Sequence, residues 1–362
     1  KGAEHPGEDY GKGEAHHRPE GAVGRAFRLE RGEGSTMTDP RDWFERRTFH
    51  HDDYSDVARL VDLKEARGRT VSVCLPTLNV APTLGRILRT FREELVDKYR
   101  LIDQLCVIDS RSTDGTVEIA RQEGAGVFFD DEILAGLPGA SGKGEALWKS
   151  IFALEGDIIV WVDSDIENIH PRFVYGLVGP LLEDPAIGYV KAFYERPIKR
   201  EGVLQPSGGG RVTELTVRPL FNLFYPELSG LVQPLSGEYA GRRDVLESVP
   251  FFTGYGVESG LLLDISRKYG MDAIAQVDLD VRVHDNQSID SLSKMSFGIM
   301  QAVFRRLEDD GKLSLTCEPG TVYNTVRRSG GVYSIEPVEV PIVERPSMAD
   351  VEEYRRARGI AG

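Results

Sequence analysis

The chain is expected to fold as an α/β protein in which a mostly parallel sheet is flanked by helices. Three observations carry this expectation. Ile158–Val162 puts an unbroken apolar run after Gly156-Asp157, and a parallel strand covered on both faces needs no polar alternation. Ahead of it, strand-like and helix-like segments alternate with short links, the pattern of right-handed βαβ crossovers. The run then ends on Asp163-Ser164-Asp165, polar groups placed where open α/β sheets bind ligands, beyond the carboxyl ends of their strands.

Taken in order, residues 1–36 are rich in Gly, Glu, His and Arg without an apolar period, and read as a disordered extension. The His16-His17 pair there is incidental. Residues 37–70 form a helical arm whose Trp43, Phe44, Phe49 and Leu60 pack on the body. Val71–Pro76 is a short strand stopped by Pro76. Thr83 caps a helix running to about Tyr99, with Leu84, Ile87, Leu88, Phe91 and Leu95 at helical spacing. Gln104–Ile108 is a strand ending at Asp109-Ser110, Thr116–Glu123 a helix, and Val127–Phe129 a third strand. The Gly-rich segment Asp130–Gly144 opens a helix from Glu145 to Leu154, which leads into the Asp-Ser-Asp strand.

Pro171–Leu182 reads as a helix and Ile187–Tyr194 as a strand, followed by a flexible loop Glu201–Arg211. Thr213–Phe224 is helical, Leu235–Tyr239 a turn with an embedded acid, and Tyr255–Glu258 leads into a helix through Lys268. Ile274–Val283 alternates as a strand and ends at His284-Asp285-Asn286; a long amphipathic helix, Ser291–Leu307, follows. The tail from Pro337 is Pro- and Glu-rich and closes on a short charged helix. The chain contains no internal repeat. It divides into a first half at 71–200, a second half at 201–335 and a tail at 336–362.

Composition narrows the function. A chain of 362 residues allows one large domain or two modest ones. A formal charge of −14 argues against nucleic acid or an anionic membrane as the main partner, so an anionic substrate needs a locally basic pocket or a metal. No apolar run has the length of a membrane span, and no signal-peptide pattern opens the chain. Cys74, Cys106 and Cys317 form no CxxC, which gives neither a disulfide framework nor a zinc site. A cytoplasmic location is expected.

The acidic pair is the first chemical lead. If the segment stays extended, Asp163 and Asp165 project to the same side. A divalent ion carrying a diphosphate suits them, since Mg²⁺ takes one or two carboxylates plus substrate phosphates. The plainer alternative is a solvated turn with Asp165 capping the next helix. Gly142-Lys143-Gly144 meets a phosphate loop only in part, because Leu137 holds the first Gly position and Gly144 replaces the hydroxyl residue. An ATPase is excluded on that ground, leaving a lysine at a helix N-terminus, where phosphate can meet backbone N–H groups.

Pro76-Thr77-Leu78-Asn79, Asp109-Ser110, the Gly142–Trp148 block (GKGEALW) and Val162–Asp165 together resemble family-2-like nucleotide-sugar glycosyltransferases of the GT-A fold, a Rossmann-like sheet. The runs GGGRVTELTVRPL and LSGEYAGRR, with Tyr255–Glu258 and Val283–Asn286, narrow the resemblance to the glucosyl- and mannosyl-3-phosphoglycerate synthases over roughly Trp43 to Leu315. It implies a retaining hexosyl transfer from UDP-glucose or GDP-mannose to 3-phosphoglycerate, for osmolytes or polysaccharide primers, by a homodimer using Mg²⁺ or Mn²⁺. It implies that Asp165 and His284 hold the metal and that Pro76, Leu78, Asn79, Ser110, Lys143, Asp163 and Ser164 hold the nucleotide. Glu238 and Glu258 would hold sugar hydroxyls near Tyr255 and the Leu235 carbonyl; Gly210, Arg211, Thr213 and Asn286 would receive the acceptor. Many relatives carry an acid where Val80 stands, which widens the expected choice of donor base.

Taken singly these residues have plainer readings: Arg211 as a solvated loop charge, His284 as a hydrogen-bonded core residue, Glu258 as an acid favoured by a helix dipole. Two rival functions remain at this point. A non-catalytic sugar-nucleotide-binding module would not need both Asp165 and His284. A sugar-nucleotidyltransferase would carry a basic Gly-rich loop straight after the first strand, and Pro76–Pro82 has none.

Overall fold

The computed structural model describes residues 39–200, 203–205, 210–283 and 287–360, and residues 38–362 form one compact unit. The strands are β1 (Thr48–His50), β2 (Val71–Thr77), β3 (Gln104–Asp109), β4 (Gly126–Phe129), β5 (Ile158–Trp161), β6 (Tyr189–Glu195), β7 (Ile198–Arg200), β8 (Val203–Gln205), β9 (Tyr239–Arg242), β10 (Phe251–Phe252), β11 (Ile274–Val281), β12 (Val322–Ser329), β13 (Val332–Glu339) and β14 (Glu344–Arg345). The helices are α1 (Pro40–Arg47), α2 (Val57–Ala66), α3 (Ala81–Phe91), α4 (Thr116–Gln122), α5 (Lys143–Ala153), α6 (Arg172–Glu183), α7 (Arg218–Phe224), α8 (Arg243–Leu246), α9 (Val257–Tyr269), α10 (Ile289–Asp309) and α11 (Glu352–Arg358).

Eight strands make the central sheet in the order β1-β11-β6-β9-β5-β2-β3-β4. Every pair is parallel except those of β9, which runs antiparallel to both β5 and β6. The strands from β2 to β6 and the helices between them lie where the alternation places them. Their inner residues are apolar without alternation, as burial on both faces requires. Val73, Leu75, Val107, Val160 and Val190 face one core with α3 and α6; Cys74, Cys106, Ile159, Trp161 and Tyr189 face the other, with α5, α9 and α10.

Several boundaries differ from expectation for identifiable reasons. β2 runs through Pro76 to Thr77, where the Pro76 carbonyl accepts the Ser164 hydroxyl at 2.7 Å. The helix after it starts at Ala81 and widens into a π-helix over Arg92–Lys98; no side chain caps it, and the Thr83 hydroxyl donates instead to the Ser164 carbonyl. The turn expected over Leu235–Tyr239 hands over at Tyr239 to a strand, β9, because Tyr239-Ala240-Gly241 is short and gives no periodicity to read. The arm contributes an edge strand as well as helices, with β1 pairing to β11.

The tail is more than a Pro-rich coil. β12 and β13 pair as a hairpin closed at Gly330-Gly331. Beyond it Arg345 buries its guanidinium against Glu145, at 2.7 and 2.8 Å, and Trp148 donates to the Pro346 carbonyl. Both contacts tie the tail to α5, whose first residue enters the cleft described below. Among the described residues no helix is long and apolar enough to cross a membrane.

Candidate active site

A cleft of about 780 Å³ opens over the carboxyl ends of β2 and β5 and is closed on the far side by the start of α10. Pro76, Leu78, Ser110, Lys143, Asp163, Ser164, Asp165, Gly210, Arg211, Thr213, Leu235, Tyr255 and Glu258, from seven separate stretches of chain, all line it. Two expected residues do not. Asn79 has left-handed backbone, φ 54°, and points its amide oxygen at the Thr113 N–H (2.8 Å), so it holds the neighbouring loop in place. Glu238 is fully buried behind the lining, where it accepts from the Tyr194 hydroxyl. His284 and Asn286 lie outside the described residues.

Asp163 and Asp165 follow β5 in a turn rather than an extended run, yet their carboxylates converge on one cation that the sequence reading missed. Arg282, only 4% exposed at its side chain, puts Nη2 2.6 Å from Asp165 Oδ1 and 3.3 Å from Asp163 Oδ2, with Nε 3.1 Å from Glu238 Oε1. Lys143, first residue of α5, sets its ammonium 2.6 Å from Asp163 Oδ1 and 2.9 Å from Glu258 Oε1. Three acids and two bases thus alternate across the cleft floor. Gly237 makes the close fit possible: a Cβ there would stand 1.8 Å from Asp163 Oδ2.

The electrostatics follow from this alternation. Burial disfavours the charge on Asp163, but Lys143 and Arg282 outweigh it and hold the carboxyl well below its usual range. Burial likewise opposes the charge on Lys143, and Asp163 with Glu258 overcomes it, keeping the amine protonated. Asp165 and Glu238 go the other way: burial raises both carboxyls, with Arg282 only partly offsetting it. Below the floor Lys191 is fully buried with no hydrogen-bond partner for its amine, which lies 3.9 Å from the Tyr239 ring centroid. Burial lowers its pKa to about 7.

The donor set distinguishes the two aspartates as metal ligands. Both Asp163 oxygens are occupied, by Lys143 and Arg282. Asp165 is 53% exposed to the cleft, with Arg282 bound at one oxygen, and so keeps lone pairs for a hard divalent ion. Asp165 therefore fits the metal role. Across the cleft, Arg211 opens a helical run that passes through a π-helix, Thr213–Val217, into α7. Gly210 takes φ 75°, and the Arg211 guanidinium donates to the Gln287 carbonyl at 3.0 Å. The loop expected up to Arg211 thus ends one residue earlier, in a helix N-terminus facing the cleft. Arg196 is a further lining cation that no motif announced; it donates to the Tyr194 hydroxyl at 2.9 Å.

A nucleotide-binding sheet, an acidic turn after its central strand and a basic helix N-terminus opposite define a nucleotide-sugar glycosyltransferase. The profile described as Glycosyl transferase family 2 matches residues 72–248. The glucosyl-3-phosphoglycerate synthase of Petrotoga mobilis is 54% identical over 310 residues, 86% of this chain and 95% of that protein. The crystal structure of mannosyl-3-phosphoglycerate synthase from Rubrobacter xylanophilus superposes with a TM-score of 0.78 at 39% identity, covering 86% of this chain and 97% of that one. That of glucosyl-3-phosphoglycerate synthase from Mycobacterium tuberculosis, in complex with Mn²⁺, UDP-glucose and phosphoglyceric acid, gives 0.70 at 41% identity, covering 83% and 97%. The chain belongs to the family of glucosyl- and mannosyl-3-phosphoglycerate synthases.

Proposed function

We propose that this enzyme transfers glucose from UDP-glucose to the free hydroxyl of 3-phosphoglycerate with retention of configuration, giving glucosyl-3-phosphoglycerate and UDP. The observation that carries the reading is the pairing, across one cleft, of the Asp163–Asp165 turn with the Arg211 helix N-terminus. The first suits a metal-bound diphosphate and the second a phosphorylated acid. The identity of 54% to a glucosyl enzyme favours glucose over mannose.

In this reading Asp165 would hold Mg²⁺ or Mn²⁺, which would supply positive charge for the departing diphosphate. Pro76, Leu78 and Ser110 border the nucleoside, and the Lys143 ammonium holds the Asp163 and Glu258 carboxylates in place. Glu258, with Tyr255 and the Leu235 carbonyl, faces the sugar. Arg211 offers a planar fork to the acceptor phosphate, backed by the N–H groups of its helix end and the Thr213 hydroxyl. Residues 71–200 serve the nucleotide end of the donor, and 201–335 serve the acceptor while also supplying the residues that face the sugar. GDP-mannose is the second reading, favoured by the apolar Val80 on the lining, where no acid selects the base. Incubation with each sugar nucleotide, 3-phosphoglycerate and Mn²⁺ tests both. Nucleoside diphosphate release dependent on 3-phosphoglycerate is expected; pyrophosphate release would indicate nucleotidyl transfer instead.

The active form is a homodimer. Supporting this, the β12–β13 hairpin exposes Val326, Val332, Tyr333 and Ile335, each more than half accessible, and a lone two-stranded hairpin is marginal in water. Sedimentation of the native protein and of I335D checks it: a dimer is expected for the first and a shift to monomer for the second.

A further inference from the structure

Strand β11 departs from regular pairing at one point. Ile274 to Asp278 match Tyr189 to Phe193 one for one, and then Val281 pairs with Glu195. Leu279 and Asp280 therefore stand opposite Tyr194 alone, which is a β-bulge. Side chains alternate along a strand, so one extra residue transfers everything beyond it to the other face. Under strict alternation Arg282 would share the face of Ile274 and Gln276, away from Tyr194. The bulge puts it on the face of Val277 and Leu279, where its guanidinium lies 5.7 Å from the Tyr194 ring centroid and reaches Glu238 and Asp165.

The extra residue is held in an unfavourable conformation. Asp280 has φ 64°, a left-handed backbone that disfavours any residue with a Cβ relative to glycine. Its carboxylate is gripped from three sides: His51 Nε2 at 2.7 Å, His50 Nε2 at 3.2 Å and Arg172 Nη1 at 3.4 Å. The remaining imidazole nitrogens face Asp52, at 3.4 and 3.3 Å, and the Tyr175 hydroxyl lies 3.4 Å from His51 Nδ1. His51 is buried, and β1 pairs His50 with Asp278 in register. The end of the arm's edge strand and the first residue of the 3₁₀-helix after it thus deliver two histidines to the bulge.

We propose that His50 and His51, acting through Asp280, are positioning residues of the donor site: their grip maintains the bulge that sets Arg282 beside Asp165 and Glu238. The inference rests on the donor assignment above. It predicts a dependence on backbone conformation that a merely structural ion pair would not show. Glycine adopts this φ freely, so it needs no grip, whereas alanine keeps the strain and loses the grip.

The test is calorimetric affinity for UDP-glucose with Mn²⁺, measured on the wild type, D280A, D280G, H51Q and H51Q/D280G. D280A should bind about tenfold more weakly, and D280G should recover most of that loss. H51Q should weaken binding about threefold on its own and add nothing when D280G is already present, the signature of coupling through one element. The KM for 3-phosphoglycerate should move less than about twofold in all four, since Arg211 stands on another element. Unchanged affinity in D280A, equal losses in D280A and D280G, or an H51Q effect that persists beside D280G would overturn the inference alone. A wild type that does not bind UDP-glucose would overturn the donor assignment and the inference with it.

Discussion

The Arg282 guanidinium stands 2.6 Å from the Asp165 carboxylate, at the oxygen set that a divalent ion would share. A resident cation therefore already balances the acidic turn, and a divalent ion would join Arg282 there rather than enter an uncompensated acidic site. Asp165→Ala should leave the chain folded but reduce turnover by roughly a hundredfold or more. Mn²⁺ should raise the Tm of the wild type and not of D165A, because binding to the folded state alone stabilises it. Turnover that survives excess chelator would contradict the metal role.

The proposed role of Arg211, holding the acceptor phosphate, makes it the residue that sets acceptor identity. A hydrogen bond to a charged group contributes roughly 1.5–3 kcal/mol, so Arg211→Ala should weaken use of 3-phosphoglycerate about tenfold to a hundredfold. Glycerate without phosphate should be affected little, and donor affinity should hold. The ratio of kcat/KM for the two acceptors is the measurement; a ratio equal to that of the wild type would place the phosphate elsewhere.

Val80 lines the cleft with no carboxylate to offer a base. A site that makes no hydrogen bond to a group cannot strongly reject an analogue that lacks or alters it. UDP-glucose and GDP-mannose should therefore both be used, with kcat/KM values within about a hundredfold of each other. A gap of several orders of magnitude would mean that other residues read the base.

Lys191 links stability to pH. Its folded pKa, near 7, lies below that of an ordinary lysine because burial disfavours the charged amine. Between about pH 7 and 10.4 the unfolded chain holds a proton that the folded one lacks, so stability should rise with pH across that window. Below pH 7 the penalty is fully present, offset in part by the Tyr239 ring. Lys191→Met should flatten the slope and be at least as stable as the wild type at pH 7, by urea unfolding at pH 7 and 9.5. An unchanged slope would show that Lys191 does not titrate there.

Much of this molecule was legible from its residues. β5 is apolar without interruption and β2 and β3 carry apolar centres, and the short links between them leave little choice but a parallel sheet. Lys143, Asp163, Asp165 and Glu258 were found because each sits at the edge of an element with a clear period. What was missed depends on contacts far apart in sequence. Arg282 reads as one more strand residue until a single inserted residue turns it over. β9 is four residues long and antiparallel, too short to signal itself. Asn79 looked like a ligand contact because its motif adjoins the cleft, yet its side chain is spent on Thr113. Arg345 sits in a polar tail by sequence, and only packing shows that it meets Glu145 in the interior.

The central claim, hexosyl transfer to phosphoglycerate with retention, is tested most directly by following the anomeric carbon. UDP-glucose labelled with ¹³C at that carbon would be incubated with the protein, Mn²⁺ and 3-phosphoglycerate, and the mixture read by NMR. The predicted result is an α-glucoside joined to the C2 oxygen of 3-phosphoglycerate, appearing in step with UDP. Label found only in free glucose, in a β-glucoside or in unreacted donor would contradict it.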